Sequence, residues 1–359
     1  MSHGNDSSPS QNEGLICDSD SGRTHLRPDW HHNALRLALA LVLILQMKVL
    51  FAAPAVIRPG AVWLDDKGVE IQAHGGGVIL WHGTYWWFGE NRGKSLSPDK
   101  RYVTCYSSQD LVHWKYHGQV VALTDPDHIG PQWVLERPKV FPNGRTGKFV
   151  MYAHLDDGDY RLAKVAVLVS DRIDGQYHYV RSFRPLNKES RDIGQFIDDD
   201  GSAYLVFESR PTESFIIGKL SDDYLNVETL MSILHCQLEG DAVVHYKGLY
   251  YAMGSHLSGW DPNPDLYATS PSLSGPWSEF KDVAPPETKT YGSQSAMLLK
   301  VTGSKGSTVI FMGDFWNPSA LWDSRYLWMP LEIGDGKLRL PAPHDWTIDM
   351  ATGESALTK

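Results

Sequence analysis

From His74 to the C-terminus, apolar and polar positions follow one pattern five times. Each copy opens with an apolar strand that carries a polar residue near its start. A glycine then leads into a second strand, rich in aromatic residues in most copies: Gly83-Thr84-Tyr85-Trp86, Gly147-Lys148-Phe149-Val150, Gly201-Ser202-Ala203-Tyr204, Gly248-Leu249-Tyr250-Tyr251 and Gly306-Ser307-Thr308-Val309. Alternation at period two, the mark of a strand, runs through residues 148–152, 203–207 and 249–253. Asn143-Gly144 and Asp200-Gly201 are hairpin signals. Four copies continue into a Ser-led turn, from Ser108 to Trp114, Ser170 to Tyr177, Ser221 to Leu225 and Ser270 to Trp277. No long amphipathic helix interrupts the pattern.

The residues that open the copies are His74, Glu136, Asp192, Glu239 and Gln294, spaced by roughly 50–60 residues, within reach of one four-stranded propeller blade. The pattern therefore predicts an all-β chain, with a five-bladed β-propeller over residues 56–359. The five opening side chains should lie on innermost strands and face one axis. A β-sandwich with coincidental hairpins is the alternative. It does not explain why four copies share the Ser-turn signature in the same phase.

Composition adds little to this picture. The 42% hydrophobic and 21% charged content is that of a globular protein. A net charge of −10 argues against nucleic acid or an anionic membrane surface as the main partner and fits a neutral substrate. Cys17, Cys105 and Cys236 are too few for a disulfide framework and lack zinc-site spacing. Cys105 and Cys236 could pair, but two unpaired buried thiols are expected. Residues 1–33 are polar and expected to be disordered. Residues 34–55 hold an uninterrupted apolar core, Leu37–Leu45, and end Ala52-Ala53-Pro54-Ala55. That core is too short to span a bilayer and reads as a secretory signal peptide, with a signal anchor as the alternative. The protein is expected to be secreted.

Three carboxylates stand among the five ring positions: Glu136, Asp192 and Glu239. Acids aimed into one funnel repel each other, so one should hold a proton near neutral pH. A proton-holding carboxyl is the general acid of glycoside hydrolysis, and its neighbours can stabilise an oxocarbenium-like transition state or activate water. Acids at strand starts can also serve only as acceptors for backbone N–H groups, but three in one phase favour a site. In a regular strand Asp241 faces the same side as Glu239, so either could be the acid on pattern alone. Trp260, Trp316 and Trp322 lie in loop-like stretches and are candidates to pack beneath a sugar ring, whereas Trp86, Trp87 and Trp328 suit the core. Neither a G-x-S-x-G elbow nor an H-E-x-x-H zinc motif is present. The turn Asp261-Pro262-Asn263-Pro264-Asp265 could invite calcium but reads as a solvated turn, and no cofactor is expected.

Ordered strings along residues 60–350 are similar to glycoside hydrolase family 43, and within it to the exo-β-1,3-galactanase group. They are Gln72-Ala73-His74-Gly75-Gly76-Gly77, Tyr85-Trp86-Trp87-Phe88-Gly89-Glu90, Leu135-Glu136-Arg137-Pro138-Lys139-Val140, Ser190-Arg191-Asp192, Leu238-Glu239-Gly240-Asp241-Ala242, Gly254-Ser255-His256 to Trp260, Tyr291-Gly292-Ser293-Gln294, and Gly313-Asp314-Phe315-Trp316-Asn317-Pro318 to Tyr326. The resemblance implies a five-bladed propeller that releases galactose from β-1,3-galactan or arabinogalactan chains with inversion. It implies Glu239 as general acid, Asp192 as the acid that orients and tunes it, and Glu90, Glu136 and Tyr160 as sugar-binding residues. Family members usually carry a base Asp on the first blade; here that slot reads His74-Gly75-Gly76. The galactanase group shares this absence, and its water-positioning glutamine corresponds to Gln294. Glu136 as the base is the rival assignment. A monomer is expected, binding polysaccharide through the propeller itself. Two alternatives are a β-xylosidase or α-arabinofuranosidase on the same fold, and a carbohydrate-binding propeller without turnover.

Overall fold

Residues 55–96, 102–122, 133–212 and 214–359 are described by the computed structural model. The segments expected to be disordered (1–33) and to form a signal or anchor (34–55) lie outside these residues, Ala55 apart. The described chain is all-β. A two-residue strand, β1 (Val56–Ile57), comes first. Five antiparallel sheets follow in chain order. The first is β2 (His74–Trp81), β3 (Thr84–Asn91), β4 (Tyr102–Ser108) and β5 (Lys115–Ala122). The second is β6 (Trp133–Asn143), β7 (Lys148–Asp157), β8 (Lys164–Ser170) and β9 (His178–Phe183). The third is β10 (Ile193–Ile197), β11 (Ala203–Ser209), β12 (Ser214–Leu220) and β13 (Val227–Leu234). The fourth is β14 (Leu238–Tyr246), β15 (Leu249–His256), β16 (Asp265–Ser270) and β17 (Lys281–Asp282). The fifth has three strands among the described residues, in place of about four: β18 (Gln294–Thr302), β19 (Ser307–Phe315) and β20 (Arg325–Pro330). A hairpin, β21 (Glu332–Gly334) and β22 (Lys337–Arg339), comes next. The terminal strand β23 (Trp346–Asp349) then pairs with β1 on one side and with β24 (Glu354–Leu357) on the other. The first strands pack beside one another in the order β2, β6, β10, β14, β18, and β18 also lies against β2.

The repeated sequence signals have direct local causes. His82 (φ 49°) and Gly83 (φ 77°) turn β2 into β3, and Lys247 (φ 49°) and Gly248 (φ 80°) turn β14 into β15. Two consecutive left-handed residues match the twist of a two-residue hairpin, and glycine takes the second without a Cβ clash. The Ser-led turns join the third strand of a sheet to the fourth. Ser108 Oγ accepts from the backbone N–H groups of Asp110 and Leu111, and Ser221 Oγ accepts from that of Asn226.

Inner strands are apolar on both faces because each sheet is covered on both sides. Val140 packs between the first and second sheets with Phe88, Val103 and Met151; its neighbour Phe141 packs between the second and third with Tyr152, Leu205 and Phe207. Val206 and Phe215 then meet Val243 and Ala252 between the third and fourth. Alternation thus selects which intersheet layer a side chain enters, rather than core against solvent. The largest layer joins the first, fourth and fifth sheets around Trp87, Trp114, Trp328 and Trp346, all buried. The Trp87 ring lies 4.8 Å from Tyr326, 4.8 Å from Trp328 and 5.1 Å from Trp114. Trp86, expected in the core, is half-buried. It packs on the layer between the first two sheets, since the next residue along a strand faces the other way. Trp87→Ala should lower the unfolding free energy by about 3–5 kcal/mol, read from urea denaturation, and Trp86→Ala by clearly less. Equal losses would contradict this layering. Cys105 and Cys236 are both free thiols, Cys105 buried as expected and Cys236 only half-buried.

Candidate active site

Four of the five first strands change register near their ring residue: at His74/Gly77, Glu136/Lys139, Glu239/Ala242 and Ser295/Met297. The extra residue bends the strand and re-aims a side chain. Gly75 (φ 57°), Arg137 (φ 52°) and Gly240 (φ 68°) occupy the left-handed position just after the ring residue. The bulge at Gly240 breaks the alternation that would have put Glu239 and Asp241 on one side. Glu239 faces a cavity of about 250 Å³, while Asp241 is fully buried and does not line it.

That cavity is lined by Glu90, Glu136, Tyr160, Asp192, Glu239, Trp260, Gln294 and Trp316, eight of the residues singled out from the sequence. Arg137, His154, Arg191 and Arg210, to which sequence reasoning gave no role, also line it. The available signal was an arginine beside two ring acids, Glu136-Arg137 and Arg191-Asp192. His74 does not reach the cavity. It is buried, with Nδ1 2.9 Å from Asp314 Oδ1 and its ring stacked on Tyr326 at 4.8 Å. Trp322 lies outside the lining, under Lys94 Nζ at 4.6 Å.

One wall is a charge network. Glu90 Oε1 accepts from the Arg137 backbone N–H at 2.9 Å, and Glu90 Oε2 pairs with the Arg92 guanidinium. Glu136 Oε1 accepts from Arg92 at 3.1 Å and from the Tyr160 hydroxyl at 3.0 Å. His154 Nδ1 lies 3.4 Å from Glu136 Oε2, and its Nε2 lies 3.2 Å from Asp156 Oδ2. Burial by itself would raise the Glu136 carboxyl, but the His154 ring beside it, the Arg92 charge and Tyr160 outweigh it and hold it well below the ordinary range. Asp156 first, then Glu136 and Asp192, lift His154 to about 9 against its burial, which favours the neutral ring. Glu136 is therefore an ionised acceptor.

The opposite electrostatics hold at Glu239. Burial first, then the charges of Asp192 and Glu208, push its carboxyl up to about 8, against Arg137 and Arg210. Asp192, one residue ahead of β10, accepts from the Gly240 N–H at 2.9 Å and pairs with Arg137 at 2.8 Å. It thereby ties the Glu239 bulge to the third sheet. Gln294 makes four hydrogen bonds. Its Oε1 accepts from Arg137 at 2.6 Å and from the Trp316 indole N–H at 2.9 Å. Its Nε2 donates to Glu239 Oε1 at 3.0 Å and to Ser255 Oγ at 3.2 Å. A separation of about 6.5–9.5 Å, the inverting spacing, is thus not met by Glu239 and Gln294 as they stand. The strands β14 and β18 are neighbours, so residues at their heads touch instead of facing each other across the cavity. Trp260 and Trp316 meet edge to face at 5.0 Å and form the aromatic wall.

Among the described residues, one group has metal-ligating geometry, Asp198, Asp199 and His245, outside this cavity. Its carboxylates already accept hydrogen bonds from the Tyr250 hydroxyl and the Lys300 ammonium.

Comparison with known proteins gives a consistent result. The model of the family "Glycosyl hydrolases family 43" matches residues 75–312. An exo-β-1,3-galactanase from Phanerochaete chrysosporium, solved with galactose, is 37% identical with a TM-score of 0.80, over 85% of this chain and 71% of that one. An exo-β-1,3-galactanase from Clostridium thermocellum is 34% identical with a TM-score of 0.78, over 85% of this chain and 69% of that one. A putative exo-β-1,3-galactanase from Bifidobacterium bifidum is 34% identical with a TM-score of 0.74, over 79% of this chain and 96% of that one. The comparison with curated proteins gave no match.

Proposed function

Since the chain belongs to glycosyl hydrolases family 43 and is therefore a glycosidase, we propose that it is a five-bladed β-propeller that releases galactose from β-1,3-galactan with inversion. Five successive sheets whose first strands lie side by side, with β18 returning to β2, support the propeller reading. The similar enzyme of Phanerochaete chrysosporium was solved with β-1,3-galactotriose and with galactose, which supports the substrate. The observation that carries the chemistry is the split between two carboxyls of one cavity, Glu239 disposed to keep its proton and Glu136 to lose it.

In this reading Glu239 protonates the glycosidic oxygen as the bond to the anomeric carbon breaks. Asp192 holds the Glu239 bulge in place. Glu90, Glu136 and Tyr160 take the hydroxyls of the terminal sugar, and Trp260 and Trp316 cover its apolar face. Gln294 is assigned the attacking water, a role that requires the entering sugar to part its amide from Glu239, since all four of its hydrogen-bonding positions are filled by protein groups. The ionised state of Glu136 favours one second reading, in which Glu136 itself takes the proton from water. The reaction needs no metal, and export of the enzyme is proposed on the apolar segment 34–55.

Linear β-1,3-galacto-oligosaccharides should yield galactose from one end, and NMR of the first-formed sugar should show the α-anomer. Initial β-galactose would exclude inversion. Cleavage of aryl xylosides or arabinosides with galactosides left intact would move the enzyme to the alternative substrate classes. Binding with no cleavage of any of them would leave a carbohydrate-binding module.

A further inference from the structure

Beneath the cavity lies a second carboxylate that no step above uses. Glu208, at the end of β11, is completely buried and is absent from the cavity lining. Its backbone is fixed, with its N–H donating to Asp192 O at 3.1 Å and its carbonyl accepting from the Arg191 N–H at 3.3 Å. Its Oε1 accepts from Arg210 Nε at 2.7 Å, while Oε2 has no hydrogen-bond partner among the described residues. Burying a half-satisfied carboxylate beside two other acids is costly. The arrangement around Arg210 gives that cost a purpose. The Arg210 side chain is 44% exposed and lines the cavity, and its free NH2 stops 3.7 Å from Glu239 Oε2. That is beyond hydrogen-bond distance, and a shift of about 1 Å would close the gap.

We infer that Glu208 is a positioning residue that holds the Arg210 guanidinium off the Glu239 carboxyl, so that Glu239 keeps the proton it must deliver. The inference rests on the reading of Glu239 as the general acid. A carboxylate that accepts a charge-assisted hydrogen bond from arginine is held in its ionised form, and an ionised Glu239 has nothing to donate. The groups that face Glu239 are Asp192, Glu208, Arg137, Arg210, the neutral amide of Gln294 and, along its own strand, Asp241. Arg137 is committed to Asp192, Gln294 and Ser295 O at 2.6–2.8 Å. Arg210 is therefore the cation free to move onto the acid, and Glu208 is its restraint. The direction of the Glu239 shift agrees: burial, Asp192 and Glu208 raise it, and both arginines lower it.

The test is the pH profile of turnover on β-1,3-galactobiose for Glu208→Gln, Arg210→Met and the double variant, in the full chain. Glu208→Gln should move the basic limb down by about one pH unit or more and cut turnover near neutral pH about 10–100-fold. An aryl galactoside with a good leaving group should be affected less. Adding Arg210→Met to Glu208→Gln should return the limb and most of the turnover, which a purely structural loss would not allow. A limb unmoved in Glu208→Gln, or a double variant as impaired as the single one, overturns the inference. Should Glu208→Gln not fold, Glu208→Asp, one methylene shorter, must show the same shift in smaller measure; an unmoved limb there overturns it equally. A galactanase still active as Glu239→Gln defeats the acid reading itself. Loss of activity in Glu239→Gln with no limb shift in Glu208→Gln defeats only the restraint.

Discussion

Glu239→Gln is expected to reduce cleavage of natural β-1,3-galactan by about 10²–10⁴-fold while substrate still binds, because general acid assistance is worth about that much. The amide keeps the shape of the side chain and its contact with Gln294 but has no proton to give. A galactose leaving group is poor and needs that proton; a nitrophenolate does not, so an aryl galactoside should lose less. The acid works only while protonated, so wild-type kcat/KM should fall as pH rises through about 8, and this limb should disappear in Glu239→Gln. Asp241→Asn serves as the control, since the Gly240 bulge keeps Asp241 out of the cavity. An inactive Asp241→Asn beside a nearly normal Glu239→Gln would transfer the role.

Gln294→Ala should lower turnover about 10²-fold or more. The substitution removes the group proposed to place the water and leaves Arg137 and the Trp316 indole without their shared acceptor. Gln294→Glu puts a carboxylate at nearly the same point, so it should keep partial activity with a new acidic limb. Glu136→Gln should act differently. Arg92, Tyr160 and His154 all present donors to this carboxylate, and an amide NH2 cannot satisfy them, so the sugar-binding wall loosens and KM rises more than kcat falls. If Glu136 is the base, the pattern reverses: turnover collapses in Glu136→Gln with binding unchanged, and azide restores it with galactosyl azide as product. Measuring turnover and affinity separately in the three variants separates the two assignments.

Much of the fold was legible because its signals are local. Hairpin residues such as Gly83 and Gly248 need a left-handed conformation, and the Ser108 and Ser221 side chains close their own turns, so both leave marks within a few residues of sequence. Period-two alternation marks strands whichever sheet they join. The in-phase recurrence of polar openers placed Glu136, Asp192, Glu239 and Gln294 together, and the cavity holds all four. The same local rule misjudged Asp241 and His74. Alternation assumes a regular strand, and the bulge at the head of β14 inserts a residue that puts Asp241 out of step with Glu239; His74 is instead engaged by Asp314 and Tyr326, two residues about 240 and 250 positions away. Which acid holds a proton was beyond the pattern of the residues, and only the family resemblance pointed to Glu239. Glu136 and Glu239 are chemically alike, and their difference comes from what packing brings to them: His154, Arg92 and Tyr160 on one side, burial with Asp192 and Glu208 on the other. Those partners lie 18 to 47 residues away along the chain, with Arg92 44 residues from Glu136 and Tyr160 24. The chain alone determined strands, turns and the phase of the ring. Tertiary contact decided register at the bulges, the direct meeting of Gln294 with Glu239, and the charge of each acid, because these depend on distances between strands that no local pattern encodes.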